Sequence, residues 1–187
     1  MLAEADSPDR FVLADSTAPD ASLDAARLES LYARLEKPMF NVVYRWLWNR
    51  ADAQEVVQDA FVRVWRRRED VRLETVEALL YRTALNLASN RLRAKRLRRW
   101  LSLEAVFERG ELTGEPTADP EERSREALVR SAVEALPERL RRVVMLCELA
   151  ELPHEQVAAT LGIPVGTVGS RRHKALALLR ERLGGER

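Results

Sequence analysis

Leu152-Pro153-His154-Glu155-Gln156-Val157-Ala158-Ala159-Thr160-Leu161-Gly162-Ile163-Pro164-Val165-Gly166-Thr167-Val168 is the stretch that decides the fold. Val157, Ala158 and Leu161 form the packing face of a short helix, and the small Ala158 lets a second helix approach closely. Gly162 supplies the positive φ that a tight turn requires. Ile163 fills the gap beneath the turn, and Val168 packs back from the next helix. In that second helix Thr167, Ser170, Arg171 and Lys174 recur at i, i+3, i+4 and i+7. The spacing lays two hydroxyls, a guanidinium and an ammonium along one face, suited to base edges and phosphates in a major groove. A solvated helical hairpin with a basic face is the plain alternative. The glycine turn, the Ile163-Pro164 pair, the Gly166-Thr167-Val168 start and the basic face agree on a helix-turn-helix.

Upstream of this motif, helical patterning runs from about Arg123 to Leu136, and Pro137 opens a further helix carrying Leu140, Val143, Val144 and Leu146. Residues 102–126 differ in character: Gly110, Gly114, Pro116 and Pro120 stand among Glu104, Glu108, Glu111, Glu115, Asp119, Glu121 and Glu122. Helix breakers and like charges together predict an extended acidic linker. The N-terminal half carries apolar residues at helical spacing over Leu23–Leu35, then, beyond Pro38, over Met39–Asn49. A third helix begins near Asp52, with Val56, Val57, Ala60, Phe61, Val64 and Trp65 on one side. A fourth spans about Glu74 to Arg98 and buries Val76, Leu80, Thr83, Ala84 and Leu87. Residues 1–22 lack periodicity and read as a mobile tail.

Net charge is +1, but its distribution is uneven. Arg91, Arg93, Lys95, Arg96, Arg98 and Arg99 occur without an acid among them, and Arg171, Arg172, His173 and Lys174 form a second basic run. Acids gather at Glu4–Glu29 and Glu104–Glu126. No stretch approaches the ~18 apolar residues needed to span a bilayer. Glu4, Asp6 and Asp9 stand where a signal peptide would carry basic residues, so a cytoplasmic protein without membrane insertion is expected. The single cysteine, Cys147, lies in an apolar run and is expected to be a buried thiol. Neither a Gly-rich phosphate loop nor a nucleophile, base and orienter set is present, and His154 and His173 lie in different helices. The expectation is a protein that is not an enzyme and takes no cofactor or metal.

Two further constellations stand out. Asp52 and Glu55 fit a helix N-cap and its reciprocal partner. Capping leaves Gln54, Gln58 and Asp59 unexplained, and these mark a docking face or a merely solvated one. Asn86, Asn90 and Arg93 share a face at i, i+4 and i+7, running into the basic cluster. Amides and arginine can bond to base edges or unpaired bases; an Arg-rich helix end is the bland counterpart. Tyr44, Trp46, Trp48 and Trp65 read mainly as core.

With both halves in view, the chain resembles the extracytoplasmic-function group of bacterial sigma factors. Asp52 through Trp65 is similar to the family's polymerase-docking helix, Leu79 through Arg93 to its helix for the −10 promoter element, and Leu136 through Leu179 to the region that reads the −35 element. The resemblance implies an all-α chain of two small helical domains joined by a flexible acidic linker, the second containing the helix-turn-helix. Residues 23–100 would form the first domain, 101–126 the linker and 127–187 the second. It further implies that Asp52, Gln54, Glu55, Gln58 and Asp59 face core RNA polymerase at the β′ clamp helices. Asn86, Asn90, Arg91 and Arg93 would face −10 DNA, and Thr167, Ser170, Arg171 and Lys174 −35 DNA. An anti-sigma factor is an implied partner. The chain departs from the family at Gln54, in place of an acid, at Gly169, where a basic residue is usual, and at Arg172, on a side usually apolar. A stand-alone helix-turn-helix regulator is the alternative function.

Overall fold

A computed structural model describes residues 23–101 and 120–184, so the expected N-terminal tail and most of the expected linker lie outside the described residues. Within these residues the chain is helical without strands. Helix α1 (Ala25–Leu47) is followed by α2 (Arg50–Arg66), two 3-10 turns (Arg68–Asp70 and Leu73–Thr75) and α3 (Val76–Leu101). The second half comprises α4 (Pro120–Glu134), α5 (Glu138–Glu148), α6 (His154–Leu161) and α7 (Val165–Gly184).

Three expected boundaries are corrected. Pro38 does not divide the first segment: α1 runs straight past it. The apolar stripe Leu31, Leu35, Met39, Val42, Val43, Trp46 keeps its phase across the proline, and all six side chains are buried. A proline inside a helix costs about 3 kcal/mol. Each fully buried large apolar side chain returns roughly 1.5–3 kcal/mol, so the stripe prevails. The second correction concerns Asp52, which is not the N-cap of α2. Asn49 holds that place, its side chain accepting the backbone N–H of Asp52 at 2.8 Å. Residues 120–126, expected as the end of the linker, are the first two turns of α4, with Pro120 at the helix start.

Gly162 adopts φ +65° and ψ +42°, as the turn between α6 and α7 demands, and its N–H closes onto the Ala158 carbonyl. Val157, Ala158, Val168 and Ala175 seal α6 against α7. Arg172, on the otherwise apolar side of α7, reaches Glu148 on α5, donating from Nε to the carboxylate at 2.6 Å. Cys147 is half-buried rather than fully enclosed, and burial pushes its thiol pKa up.

The two halves pack on one another, and their buried apolar residues form one continuous cluster from Leu23 to Ala175. Helix α3 lies against α6. At the seam the Arg141 guanidinium stacks on the Trp46 ring, 3.9 Å from its centroid, and the Tyr44 hydroxyl donates to Glu126 at 3.1 Å.

Candidate nucleic-acid interface

Helix α2 turns Ala53, Val56, Val57, Ala60, Phe61 and Val64 inward, which sets Gln54, Glu55, Gln58 and Asp59 on its exposed side. Asp52 lies at the edge of that side and is mostly buried, because α3 supplies cations to it. Arg91 meets one carboxylate oxygen at 2.8 Å and Lys95 the other. Arg91 also donates to Glu55 at 2.6 Å, and this hydrogen bond is the main reason its pKa is raised. Two groups of residues that the sequence separates are thus brought together: the acids expected to meet polymerase and an arginine expected to meet DNA.

The positive charge beside the amides comes from elsewhere. Between the C-terminal end of α2 and the middle of α3 opens a cleft of about 470 Å³. Arg63, Arg66 and Arg67 form one wall, Thr83, Asn86 and Asn90 the other, and Val64, Leu79 and Leu87 its apolar lining. No carboxylate among the described residues pairs with these three guanidinium groups. Apolar surface, two amides, a hydroxyl and uncompensated cations are what an unstacked base and its phosphates require. Arg63, Arg66 and Arg67 escaped the sequence reading, although their i, i+3 and i+4 spacing places them on one face and was open to inspection. Arg93 lies outside this wall, bonded to Asn90 at 3.3 Å and 3.8 Å from Glu138 of α5.

Asn86 is not free. The Arg142 side chain of α5 donates to its amide oxygen at 3.3 Å and to the Ser89 hydroxyl at 3.2 Å. Glu138 completes the group. Although burial works against its charge, Arg142, Arg93 and Ser89 together hold its carboxyl below the usual range.

On α7 the four expected residues do share one side of the helix. Ser170 and Lys174 are exposed, Thr167 and Arg171 half-buried, and the Ser170 hydroxyl donates back to the Thr167 carbonyl at 3.1 Å. Gly169 looks toward α6, where a Cβ would meet the His154 ring at 3.9 Å, an ordinary contact. Among the described residues no group of three or more His, Cys, Asp or Glu could hold a metal ion, and no helix is long and apolar enough to cross a membrane.

Comparison with known proteins defines the class first. Residues 31–98 match Sigma-70 region 2, and residues 126–179 match Sigma-70 region 4. The ECF RNA polymerase sigma-E factor of Escherichia coli is 34% identical over 163 residues, covering 81% of this chain and 84% of that protein. ECF RNA polymerase sigma factor SigE of Mycolicibacterium smegmatis is 29% identical over 183 residues, 95% of this chain and 69% of its own. The fold is shared with CnrH in complex with the cytosolic domain of CnrY, at TM-score 0.65 and 23% identity, covering 88% of this chain and 92% of that one. It is also shared with the sigma factor RpoE of Bartonella quintana in complex with the anti-sigma factor NepR, at TM-score 0.60 and 20% identity, covering 85% and 97%. The chain belongs to the extracytoplasmic-function group of RNA polymerase sigma factors. Its function is therefore transcription initiation with RNA polymerase, and the family is not one of catalytic enzymes. The alternative of a stand-alone regulator falls with this result, since it has no use for the region-2 helices.

Proposed function

We propose that the exposed side of α2, with Gln54, Glu55, Gln58 and Asp59 at its centre and Asp52 at its edge, docks on the β′ clamp helices of core RNA polymerase. The cleft between α2 and α3 then receives unpaired bases of the −10 element. Asn86 and Asn90 bond to base edges, Thr83 assists, and Arg63, Arg66 and Arg67 neutralise the backbone, with Arg93 at the margin. Arg91 serves the −10 face through Asp52 and Glu55, as a positioning residue. On α7, Thr167, Ser170, Arg171 and Lys174 read the −35 element in the major groove. The work is cytoplasmic, where polymerase and promoter are. An anti-sigma factor is the expected regulator, in keeping with the complex in which the Bartonella quintana relative is found. Residues 23–100 act as the docking and −10 domain and 127–187 as the −35 domain.

The observation that carries this reading is the cleft: two amides face three arginines that no acid among the described residues neutralises. The test is in vitro transcription with core polymerase, using Asn86→Ala combined with Asn90→Ala. Promoter-directed initiation is expected to fall by more than about tenfold, equivalent to the loss of one good base contact. Capture of core polymerase should be unchanged. Normal initiation by the double variant would remove both amides from the −10 assignment.

A further inference from the structure

Helix α3 carries one continuous stripe on its solvent side. Asn86, Asn90, Arg93, Leu97 and Trp100 follow at i, i+4, i+7, i+11 and i+14, and all five are exposed. At 3.6 residues per turn they stay within about 40° of a single line along the helix axis. The opposite side of the same helix buries Leu80, Tyr81, Ala84, Leu85 and Ala88. The stripe thus begins with two amides and an arginine and ends in two apolar side chains that the core does not use.

Leu97 is 58% exposed and Trp100 86%. Val62, Val165 and Leu183, also exposed, stand singly on α2 and α7 at 38–45%. Single residues of that kind are ordinary on a protein surface. Leu97 and Trp100 are neighbours at i, i+3 and make a patch. The other three tryptophans are engaged within the fold: Trp46 and Trp48 are buried, and the Arg68 guanidinium lies over the Trp65 ring at 4.7 Å.

Charge decides what such a patch would accept. No acid occurs between Arg91 and Leu101, and Arg96 and Arg98 are exposed beside the patch. Arg93, 3.8 Å from Glu138, is the one member of the stripe close to a carboxylate. A second copy of this chain on the same face would set two arginine clusters against each other. A nucleotide satisfies both features at once, laying its base on the indole and its phosphate against the guanidinium groups.

We infer that Trp100 is a base-stacking site at the far end of a strand track along α3. Its ligand is an unpaired nucleotide of single-stranded DNA, held without regard to base identity because every base has a π-face. From Asn90 to Trp100 the helix rises about 15 Å, room for about four nucleotides at the ~3.4 Å spacing of a stacked strand. A strand whose bases meet the two amides therefore passes Arg93 and Arg96 and reaches the indole. The inference rests on the assignment of Asn86 and Asn90 to bases, and adds a nucleotide site outside the cleft.

Anisotropy titration of the full chain tests it. The probe is a fluorescein-labelled single strand of about twelve nucleotides, selected from a random pool on the wild-type chain. Trp100→Ala and Trp100→Leu should each weaken binding by about tenfold, the loss of one stacked base, whereas Trp100→Phe should lose less than about threefold. The strand should also quench the indole emission of the wild-type chain, and most of that quenching should vanish in Trp100→Phe. Wild-type binding by Trp100→Leu would make the contact merely apolar and overturn the stacking site. Wild-type binding by Trp100→Ala, with Asn86→Ala plus Asn90→Ala weakened, would end the track before Trp100 and leave the cleft assignment standing. If neither variant weakened the strand, the −10 assignment would fall as well. Unchanged strand binding by Trp100→Ala with lost capture of core polymerase, or with loss of self-association in sedimentation, would assign the patch to a protein and overturn the inference.

Discussion

The two surfaces proposed to face DNA are built on different plans. On α7 the polar residues stand on a single helix, and the face is complete as soon as the helix forms. The cleft between α2 and α3 is composite: its cations come from one helix, its amides from another, and a third helix, α5, covers part of it. A one-helix face is a local property, stable whatever the rest of the chain does. A two-helix cleft exists only while its walls are held in register, here by Asp52 between Arg91 and Lys95. The first plan suits rigid duplex, which presents a fixed groove. The second suits bases that must be caught out of the stack.

The largest effect that would break this comparison is removal of the arginine wall. Arg63→Ala, Arg66→Ala and Arg67→Ala together should cost on the order of 100-fold in single-strand affinity and flatten the salt dependence by about two ions. Duplex binding through α7 should hardly change, and anisotropy over a salt series measures both. If the duplex suffered equally, the two surfaces would not be separate. Next in size is Arg171→Ala on α7, expected to lose ~1–3 kcal/mol of discrimination at one or two base pairs. Competition between promoter-derived and scrambled duplexes reads this, and a uniform loss across all sequences would make Arg171 a phosphate contact only.

Two glycines sharpen the comparison further. Gly162→Ala places a Cβ at φ +65° and should destabilise the fold by about 1–2 kcal/mol, although the space is open. Gly169→Ala, inside α7, should stabilise it by up to about 1 kcal/mol, as the new methyl makes only an ordinary contact with His154. Urea midpoints of the full chain report both, and equal effects of the same sign would contradict the assigned backbone of the turn. Smallest is the Cys147 thiol, whose raised pKa should make alkylation at pH 8 slower than that of free cysteine. A rate matching the free amino acid would show that the thiol is not shielded by its neighbours on α5 and α7.

The α7 face was legible in the sequence because everything it needs lies within two turns of one helix. The turn at Gly162 was equally legible, since a residue of required φ leaves a mark at its own position. Arg172 could be seen to need a partner, but Glu148 could not be chosen from among the acids without the packing of α5 on α7. The cleft was half-read. Asn86 and Asn90 showed their common face, whereas Arg91 looked equally available and is in fact paired across 36 positions with Glu55. Local rules misplaced the start of α2 because Asn49 and Asp52 are both good caps, and only the second has cations waiting for it on another helix. Pro38 misled in the same way: the breaker is a local signal, while the burial that overrides it is collective.

The Arg172–Glu148 pair has a consequence for how this protein would respond to its ionic surroundings. It is an ion pair that ties α7 to α5, and both side chains are more than a third exposed to solvent. Charges so placed are screened within about 10 Å at 0.1 M salt. Rising salt therefore acts twice on the proposed −35 face, by returning counterions to the phosphates and by loosening the helix that carries Thr167, Ser170, Arg171 and Lys174. A plot of log affinity against log salt would steepen beyond the number of phosphates touched. Counting contacts from such a slope would overstate them, and Arg172→Met would bring the slope back to the true count.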